Sequence, residues 1–283
     1  MFKFYIYKIG QFIVNHLSIK AAYRFAMFCS TLQYYLSPRD QKAVKENLQV
    51  ILKTNEKVSH QAREVFRNFG KYLAEFFRMA KDINREYIDK YVKIENMHCL
   101  TDALKKNKGG ILLTAHIGNW ELGGVILSLL GFPCVAIALS HKEGPVNKLF
   151  NQQRESKGIS VVQINGAFRK CLTALQENKL IALLADRDFT LHGEVLDFLG
   201  KKTMIPKGAA VFSMSTGSPI IPVFLIRDAQ DHFLMRFEEP IYTVKAGSEK
   251  ETLLSIMKKY TALIETKVRE YPTQWLMFRR FWA

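Results

Sequence analysis

The sequence predicts an α/β fold, with a central, mostly parallel sheet flanked by helices, after an N-terminal helical region that associates with a membrane. Two observations predict the sheet: short apolar runs recur from residue 109 onward, and amphipathic segments separate most of them. A third observation predicts the membrane-associating region. The first 39 residues are rich in large apolar side chains and carry only basic charges, at Lys3, Lys8, Lys20, Arg24 and Arg39.

The N-terminal segment has the pattern of an amphipathic helix. Apolar side chains recur there at helical spacing, at Tyr5, Ile6, Ile9, Phe12, Ile13 and Leu17. No charge-free run approaches the roughly 20 residues that a membrane span requires. We therefore predict an interfacial helix on an anionic membrane surface, with a helix docked on the protein's own core as the alternative. No small-residue cleavage site follows a clean apolar stretch, so a signal peptide is not expected.

The pattern remains helical to about residue 95, which predicts two regions. Residues 1–95 form an N-terminal helical region that includes the interfacial membrane helix, and residues 96–283 form an α/β catalytic domain. An apolar stripe in the first region is typical of a helix that faces a core; it consists of Phe66, Phe69, Leu73, Phe76 and Phe77.

The second region supplies the predicted strands. They are GGILLTA, CVAIAL, ISVVQI, LIALLA, VLDFL and PIIPVFLI. The uncharged run from Leu122 to Leu139 is interrupted by Gly131-Phe132-Pro133, so it predicts a helix from Asn119 to about Leu130, a turn and a strand. The binding site is expected beyond the carboxyl ends of the strands.

Composition restricts the partners and the compartment. With 41 Lys and Arg against 26 Asp and Glu, the formal charge of +15 favours phospholipid headgroups, nucleic acid or an acidic carrier protein. Base-stacking modules are absent, so nucleic acid is not an expected partner. The four cysteines are isolated, which indicates a reducing compartment and no zinc site. No nucleotide-binding glycine motif and no GxSxG elbow occur, so no cofactor, no metal and no serine nucleophile are predicted.

His116 is the candidate catalytic base. It directly follows the run ILLTA and precedes an apolar helix, so it is predicted at a strand-to-helix turn. Glu121 follows five residues later, and we expect its carboxylate to contact one imidazole nitrogen and leave the other free to accept a proton. Taken alone, such a spacing is more often without a catalytic role.

Several further segments occur together with this pair. They are AHIGNWELGG, RESKGISVVQINGAFRK, LIALLADRDF, VLDFLGKKTMIPKGAA, STGSPIIPVFLIR and YPTQWLMFRRFW. In order and spacing, over about residues 60 to 283, they resemble the lysophospholipid acyltransferase superfamily. The branch that looks most similar is that of the late, lauroyl/myristoyl-type acyltransferases of lipid A biosynthesis.

The resemblance implies roles for particular residues. His116 and Glu121 match the catalytic pair, and Arg154 matches an arginine near the polar head of a substrate. Asp186, Arg187 and Asp188 match the acidic, polar segment that follows a core strand in the family, and we predict that they bind substrate; Arg187 departs from the Asp-Gln-Asp of enterobacterial relatives. Phe198-Leu199-Gly200 stands where relatives often carry Phe-Phe-Gly.

The residues themselves leave alternatives open. Arg154 lies near the end of a predicted helix, where a cation complements the helix dipole. Asp186 and Asp188 flank Arg187 at a strand end, where an ion-pair network is the plainer interpretation. Three lysines near the Phe-Leu-Gly turn form either a site for a phosphate-bearing substrate or carrier, or a solvated face; they are Lys201, Lys202 and Lys207.

These observations predict a membrane-associated O-acyltransferase. The acyl chain would come from a thioester on acyl carrier protein or coenzyme A, and the acceptor would be a membrane glycolipid, a lipid A precursor. The expected location is the cytoplasmic face of the bacterial inner membrane, as a peripheral or monotopic protein. Amides around Ile117 to Asn119, or a basic side chain, are expected to stabilise the oxyanion.

Three alternatives remain open at this point. A glycerophospholipid or lysophospholipid acyltransferase is one, although the FPEGTRS-like signature of that branch is absent. A mannoside acyltransferase is the second. The third is a basic peripheral lipid-binding protein without catalysis.

Overall fold

A computed structural model describes residues 2–139, 143–164, 166–189 and 191–282, with the backbone alone at residues 2 and 3. Its helices are α1 Phe2–His16, α2 Ile19–Leu36, α3 Pro38–Leu52, α4 Ser59–Asp82, α5 Arg85–Tyr91, α6 His98–Leu104, α7 Trp120–Leu129, α8 Gly144–Glu155, α9 Ala167–Gln176, α10 Gly208–Thr216, α11 Glu249–Glu270 and a 3₁₀ turn at Pro272–Gln274. Its strands are β1 Val92–Glu95, β2 Gly110–Thr114, β3 Cys134–Ala138, β4 Ser160–Gln163, β5 Leu180–Leu184, β6 Glu194–Phe198, β7 Lys201–Ile205, β8 Ile220–Arg227 and β9 Phe233–Phe237.

Seven strands form one sheet in the order β1-β9-β8-β2-β5-β3-β4. Every pairing is parallel except that of β8 with β9, which confirms the predicted mostly parallel α/β sheet. β8 is buried at every residue. Burial on both faces of a sheet requires a continuous apolar run, which is why the central strands were visible in the sequence.

The edges of the fold differ from the prediction. VLDFL forms β6, which pairs with β7 as a separate antiparallel hairpin instead of joining the sheet. β6 alternates exposed and buried residues, as expected for a strand with one solvated face. Three short strands were not predicted: β1, β7 and β9. The predicted helix after His116 is confirmed as α7, and the turn before β3 is confirmed with it.

The N-terminal region is helical, as predicted, up to Tyr91. The next residues form β1, which pairs with β9 at the edge of the sheet. The division at residue 95 therefore stays a prediction. The stripe of α4 is core, since Phe66, Phe76 and Phe77 are all at most 5% exposed.

Helices α1 and α2 present an apolar outer face. In α1, Val14 is buried and Tyr7 packs on Phe77 of α4, so the helix is docked on the core along one side. Large side chains on the other side of these two helices are exposed: Tyr5, Ile6, Ile9, Phe12, Phe28, Leu32, Tyr35 and Leu36. Among the described residues, no helix combines the length and apolar character that crossing a membrane would need.

Candidate active site

His116 occupies a sharp turn between β2 and α7. β2 ends at Thr114 and α7 begins at Trp120, so the imidazole lies at the carboxyl end of a parallel strand. Gly118 in this turn has a φ of +62°, and a Cβ there would lie 1.9 Å from the carbonyl oxygen of Leu225. Only glycine fits this position, because both the dihedral angle and the close approach exclude a side chain.

Gly118→Ala should therefore destabilise the protein more than an ordinary substitution at positive φ. Gly131 is a matched control, with a φ of +93° and nothing within 4 Å of an added Cβ. We expect Gly131→Ala to cost about 1–2 kcal/mol and Gly118→Ala at least about 2 kcal/mol more, measured by urea unfolding. Equal losses would show that the turn can move away from Leu225.

Asp186 holds the imidazole of His116. Its Oδ1 lies 2.8 Å from Nδ1 of His116, and its Oδ2 accepts hydrogen bonds from the His116 amide at 3.0 Å and from Nε1 of Trp275 at 2.9 Å. The Asp186 side chain is fully buried, whereas that of His116 is 20% exposed. With Nδ1–H donating to the carboxylate, Nε2 is the nitrogen left to accept a proton.

The pKa of Asp186 reflects this environment. Burial alone would raise the pKa, but the charge of His116 and the hydrogen bonds from His116 and Trp275 outweigh it and lower the pKa. The carboxylate is therefore ionised at neutral pH, where it can stabilise an imidazolium. Both oxygens of Asp186 are bonded to His116 or Trp275, which gives this carboxylate a role in orienting the imidazole; the predicted substrate contact of Asp186 stays a prediction.

The structure does not show the expected contact between Glu121 and His116. Glu121 lies in the first turn of α7 and forms a bidentate ion pair with Arg154 of α8, at 2.8 Å to Nε and 2.5 Å to Nη2. Both side chains are 11% exposed. Burial would lower the pKa of Arg154, but the charge and hydrogen bonds of Glu121 raise it. Arg154, which was predicted to bind a substrate, thus binds the carboxylate of Glu121 in the structure. A role of Arg154 in substrate binding and a role of Glu121 in catalysis stay predictions.

The remaining predicted substrate-binding residues are Arg187 and Asp188, which directly follow Asp186, and Lys201 and Lys207. Arg187 stacks over Phe189, with its guanidinium carbon 4.2 Å from the ring centroid. Asp188 accepts a hydrogen bond from the amide of Gly193 at 2.8 Å, which ties the loop to itself. Lys201 and Lys202 begin β7 of the hairpin, where Lys201 is exposed and Lys202 lies 3.6 Å from Asp197. Lys207 directly precedes α10 and lies 3.8 Å from Glu194 of β6. Substrate contacts of Arg187, Asp188, Lys201 and Lys207 stay predictions.

A buried polar network lies behind the turn, and the sequence patterns did not predict it. Glu75 of α4 is 2% exposed and ion-paired with Arg227 of β8. Its oxygens also accept hydrogen bonds from Tyr23 at 2.5 Å and from Nδ2 of Asn119 at 2.6 Å. Asn119 in turn caps α7. The network ties the helical region to the turn that carries His116, and only the tertiary structure brings its members together.

The turn amides are already bonded within the protein. The amide of Gly118 donates to the carbonyl of Gln274, and the amide of Asn119 donates to the carbonyl of Leu225, both at 3.0 Å. The His116 amide donates to Asp186. The amides of Gly118 and Asn119 are therefore engaged within the protein, and stabilisation of an oxyanion by the Ile117 amide or by a basic side chain stays a prediction.

Aromatic rings line the other side of His116. The ring of Trp120 lies 5.0 Å from the imidazole and stacks on Tyr72 at 4.6 Å, and Phe189 lies 6.4 Å away. Phe189 is 41% exposed, whereas Tyr72 is buried. An apolar surrounding of this kind suits a fatty-acyl chain.

One group of possible metal ligands occurs among the described residues. Ligand atoms of His98, Cys99 and Glu239 lie within 4.8 Å of one another. Burial and the charge of Glu239 raise the pKa of the Cys99 thiol, which disfavours the thiolate that a metal would need. The group contains none of the residues around His116.

Comparison with known proteins yields a consistent result. The family described as bacterial lipid A biosynthesis acyltransferase matches residues 1–283. A phosphatidylinositol mannoside acyltransferase of Mycolicibacterium smegmatis is 29% identical over 220 residues, which cover 76% of this chain and 70% of that protein. One of the same name from Mycobacterium tuberculosis is 29% identical over 160 residues, 55% of this chain and about half (51%) of the relative.

A solved structure is also similar. The crystal structure of the 1-acyl-sn-glycerophosphate (LPA) acyltransferase PlsC from Thermotoga maritima aligns over 87% of this chain and 97% of that chain. The TM-score is 0.39 and the sequence identity is 13%.

Proposed function

Since the chain belongs to the bacterial lipid A biosynthesis acyltransferase family, we propose that it transfers a fatty-acyl chain from a thioester to a hydroxyl group of a membrane glycolipid. The observation that carries this proposal is the pair of His116 and Asp186, which leaves Nε2 of a partly exposed imidazole available as a base. The alternative of a binding protein without catalysis is set aside, because the family is one of acyltransferases.

The reaction is a single displacement through a tetrahedral intermediate. Nε2 of His116 takes the proton of the acceptor hydroxyl while the hydroxyl oxygen bonds to the thioester carbonyl carbon. Asp186 stabilises the imidazolium that forms. When the carbonyl is restored the C–S bond breaks, and the imidazolium returns its proton to the thiolate, so that the products are an ester and a thiol.

In this proposal Glu121 and Arg154 hold the turn that carries His116 in position and do not contact the reacting atoms. Their bidentate ion pair joins α7 to α8 beside the turn, and the guanidinium lies 6.0 Å from the ring centroid of Phe76. A buried fork of this kind fixes geometry because two parallel hydrogen bonds define one orientation. The pair holds α7, and with it the end of the His116 turn.

The relatives support two candidate acceptors. The family name supports a lipid A precursor as acceptor. The mycobacterial relatives support a second candidate, the mannoside of a phosphatidylinositol mannoside. Both are membrane glycolipids with sugar hydroxyls. The donor is acyl carrier protein or acyl-coenzyme A, since a positively charged protein attracts either acidic donor.

The proposal is tested with purified protein, acyl-coenzyme A or acyl-acyl carrier protein with a labelled acyl chain, and each of the two acceptors in mixed micelles. Mass spectrometry should find one acceptor heavier by one acyl ester, with release of one thiol per ester. Thiol release without an acylated lipid from either acceptor, or no thiol release at all, would contradict the proposal.

We further propose that α1 and α2 lie on the cytoplasmic leaflet of the bacterial inner membrane, so that the protein is peripheral or monotopic. Their exposed apolar side chains and the basic charges of the first 39 residues support this orientation.

Phe12→Glu should weaken binding to vesicles that contain anionic phospholipid, because it places a charge on the apolar face of α1. Val244→Glu is the matched control, since both side chains are 65% exposed. We expect the Kd for vesicles, measured by sedimentation, to rise about tenfold or more for Phe12→Glu only. Raised salt should weaken binding of the unaltered protein. Equal losses in both variants would place the membrane contact elsewhere.

A further inference from the structure

A strongly basic cavity of about 1030 Å³ lies next to the candidate active site. Its charged lining among the described residues consists of five cations and one carboxylate: Arg39, Lys42, Arg187, Arg279, Arg280 and Asp40. Arg39 and Lys42 belong to the first turns of α3, where the positive end of the helix dipole adds to their charge. The lining therefore attracts anions.

Among the described residues, three of these cations lack an ion-pair partner. Arg280 is ion-paired with Glu46 at 2.6 Å, and Lys42 lies 4.0 Å from the same carboxylate. Within the part of the chain that the structure describes, Arg39, Arg187 and Arg279 form no ion pair.

Arg187 and Arg279 repel each other across this cavity. Burial and the charge of Arg279 lower the pKa of Arg187 by more than the nearby Asp186 carboxylate raises it. Phe189 covers one face of the Arg187 guanidinium, which leaves its edge, where the N–H donors lie, for a ligand. A bound anion would remove the repulsion, and this favours an anionic ligand over an empty cavity.

The cavity is close to the proposed base. Arg187 directly follows Asp186, the partner of His116. Leu276 also lines the cavity, and its amide donates to the carbonyl oxygen of His116 at 2.8 Å. On the α3 side, the exposed Tyr35 and Leu36 of the apolar face precede the cavity wall by a few residues. A ligand here would have its charged part between the lipid-facing helices and the catalytic turn.

We propose that this cavity binds a phosphate group of one of the two substrates, with Arg187 and Arg279 donating charge-assisted hydrogen bonds to its oxygens. Planar guanidinium groups match phosphate geometry, and crowded cations bind a multiply charged anion better than a single carboxylate. The proposal rests on the proposed acyl transfer. The phosphate belongs either to the headgroup of the acceptor lipid or to the carrier of the acyl donor.

The binding test uses the full chain and needs no catalysis. Inorganic pyrophosphate is titrated calorimetrically into the protein and into Arg187→Gln/Arg279→Gln. We expect the double substitution to raise the Kd at least about tenfold, the loss expected for one or more charge-assisted hydrogen bonds. The control Arg85→Gln/Lys250→Gln removes the same charge from exposed residues outside the cavity and should leave the Kd unchanged.

Kinetics then identify the source of the phosphate. The same acyl chain is presented on coenzyme A and on N-acetylcysteamine, a thiol without phosphate. If the phosphate is the donor's, the double substitution should raise the KM for acyl-coenzyme A and spare the phosphate-free donor. If it is the acceptor's, the KM for the lipid should rise with either donor and kcat should change little.

Pyrophosphate that fails to bind the unaltered protein, or that binds both double variants equally, would overturn the proposal. If the double variant does not fold, Arg279→Gln alone serves, because Arg279 is exposed. A protein that binds pyrophosphate through these arginines but acylates no lipid would contradict the proposed function and leave the phosphate site standing.

Discussion

His116→Ala should lower kcat by about 10²- to 10⁴-fold, the contribution of a positioned general base, while the KM values change little. The side chain is 20% exposed, and Asp186 keeps two hydrogen bonds without it, from the amide of residue 116 and from Trp275. The folded structure should therefore survive, with a melting temperature within a few degrees of the unaltered protein.

His60→Ala is the matched control for this experiment. His60 is an exposed histidine of α4 outside the site described above, so its removal should leave both turnover and melting temperature unchanged. Turnover of the folded His116→Ala protein near that of His60→Ala would remove His116 from the mechanism.

The central strands were predictable because their burial leaves a direct trace in the sequence. β2, β5 and β8 lie in the middle of the sheet and read as continuous apolar runs. The edge strand β1, Val92–Glu95, is short and carries two charges, so local pattern alone could not separate it from the end of a helix. β7 begins with two lysines and is defined by its partner β6.

The site was only partly predictable, for a geometric reason. The position of His116 at a strand-to-helix turn could be read from the chain, because it depends on neighbours in sequence. The carboxylate that contacts His116 could not be read from sequence spacing, which favoured Glu121. The parallel sheet places Asp186 beside His116 instead. β5 pairs with β2 in parallel, so residues just beyond their carboxyl ends meet. That rule, applied to LLADRD, was the available signal for Asp186.

Which carboxylate controls the imidazole can be tested by comparing Asp186→Asn with Glu121→Gln. In Asp186→Asn the side-chain oxygen should take the place of Oδ2, because the His116 backbone amide and Nε1 of Trp275 both donate hydrogen bonds to that position. The side-chain NH₂ group would then face Nδ1 of His116. An NH₂ group donates, which forces Nδ1 to accept and places the imidazole proton on Nε2. The base would then be blocked, and we expect kcat to fall by about 10³-fold or more.

Glu121→Gln should act differently, because it changes the partner of Arg154 and leaves the bond between His116 and Asp186 intact. A buried guanidinium that loses its counter-charge should destabilise the protein by about 2–4 kcal/mol, visible as a lower melting temperature. The deciding measurement is the ¹⁵N spectrum of His116, recorded at a pH at which the imidazole carries one ring proton. The unaltered protein and Glu121→Gln should show the proton on Nδ1, and Asp186→Asn should show it on Nε2. The opposite assignment, with the proton displaced from Nδ1 only in Glu121→Gln, would restore Glu121 as the residue that orients the base.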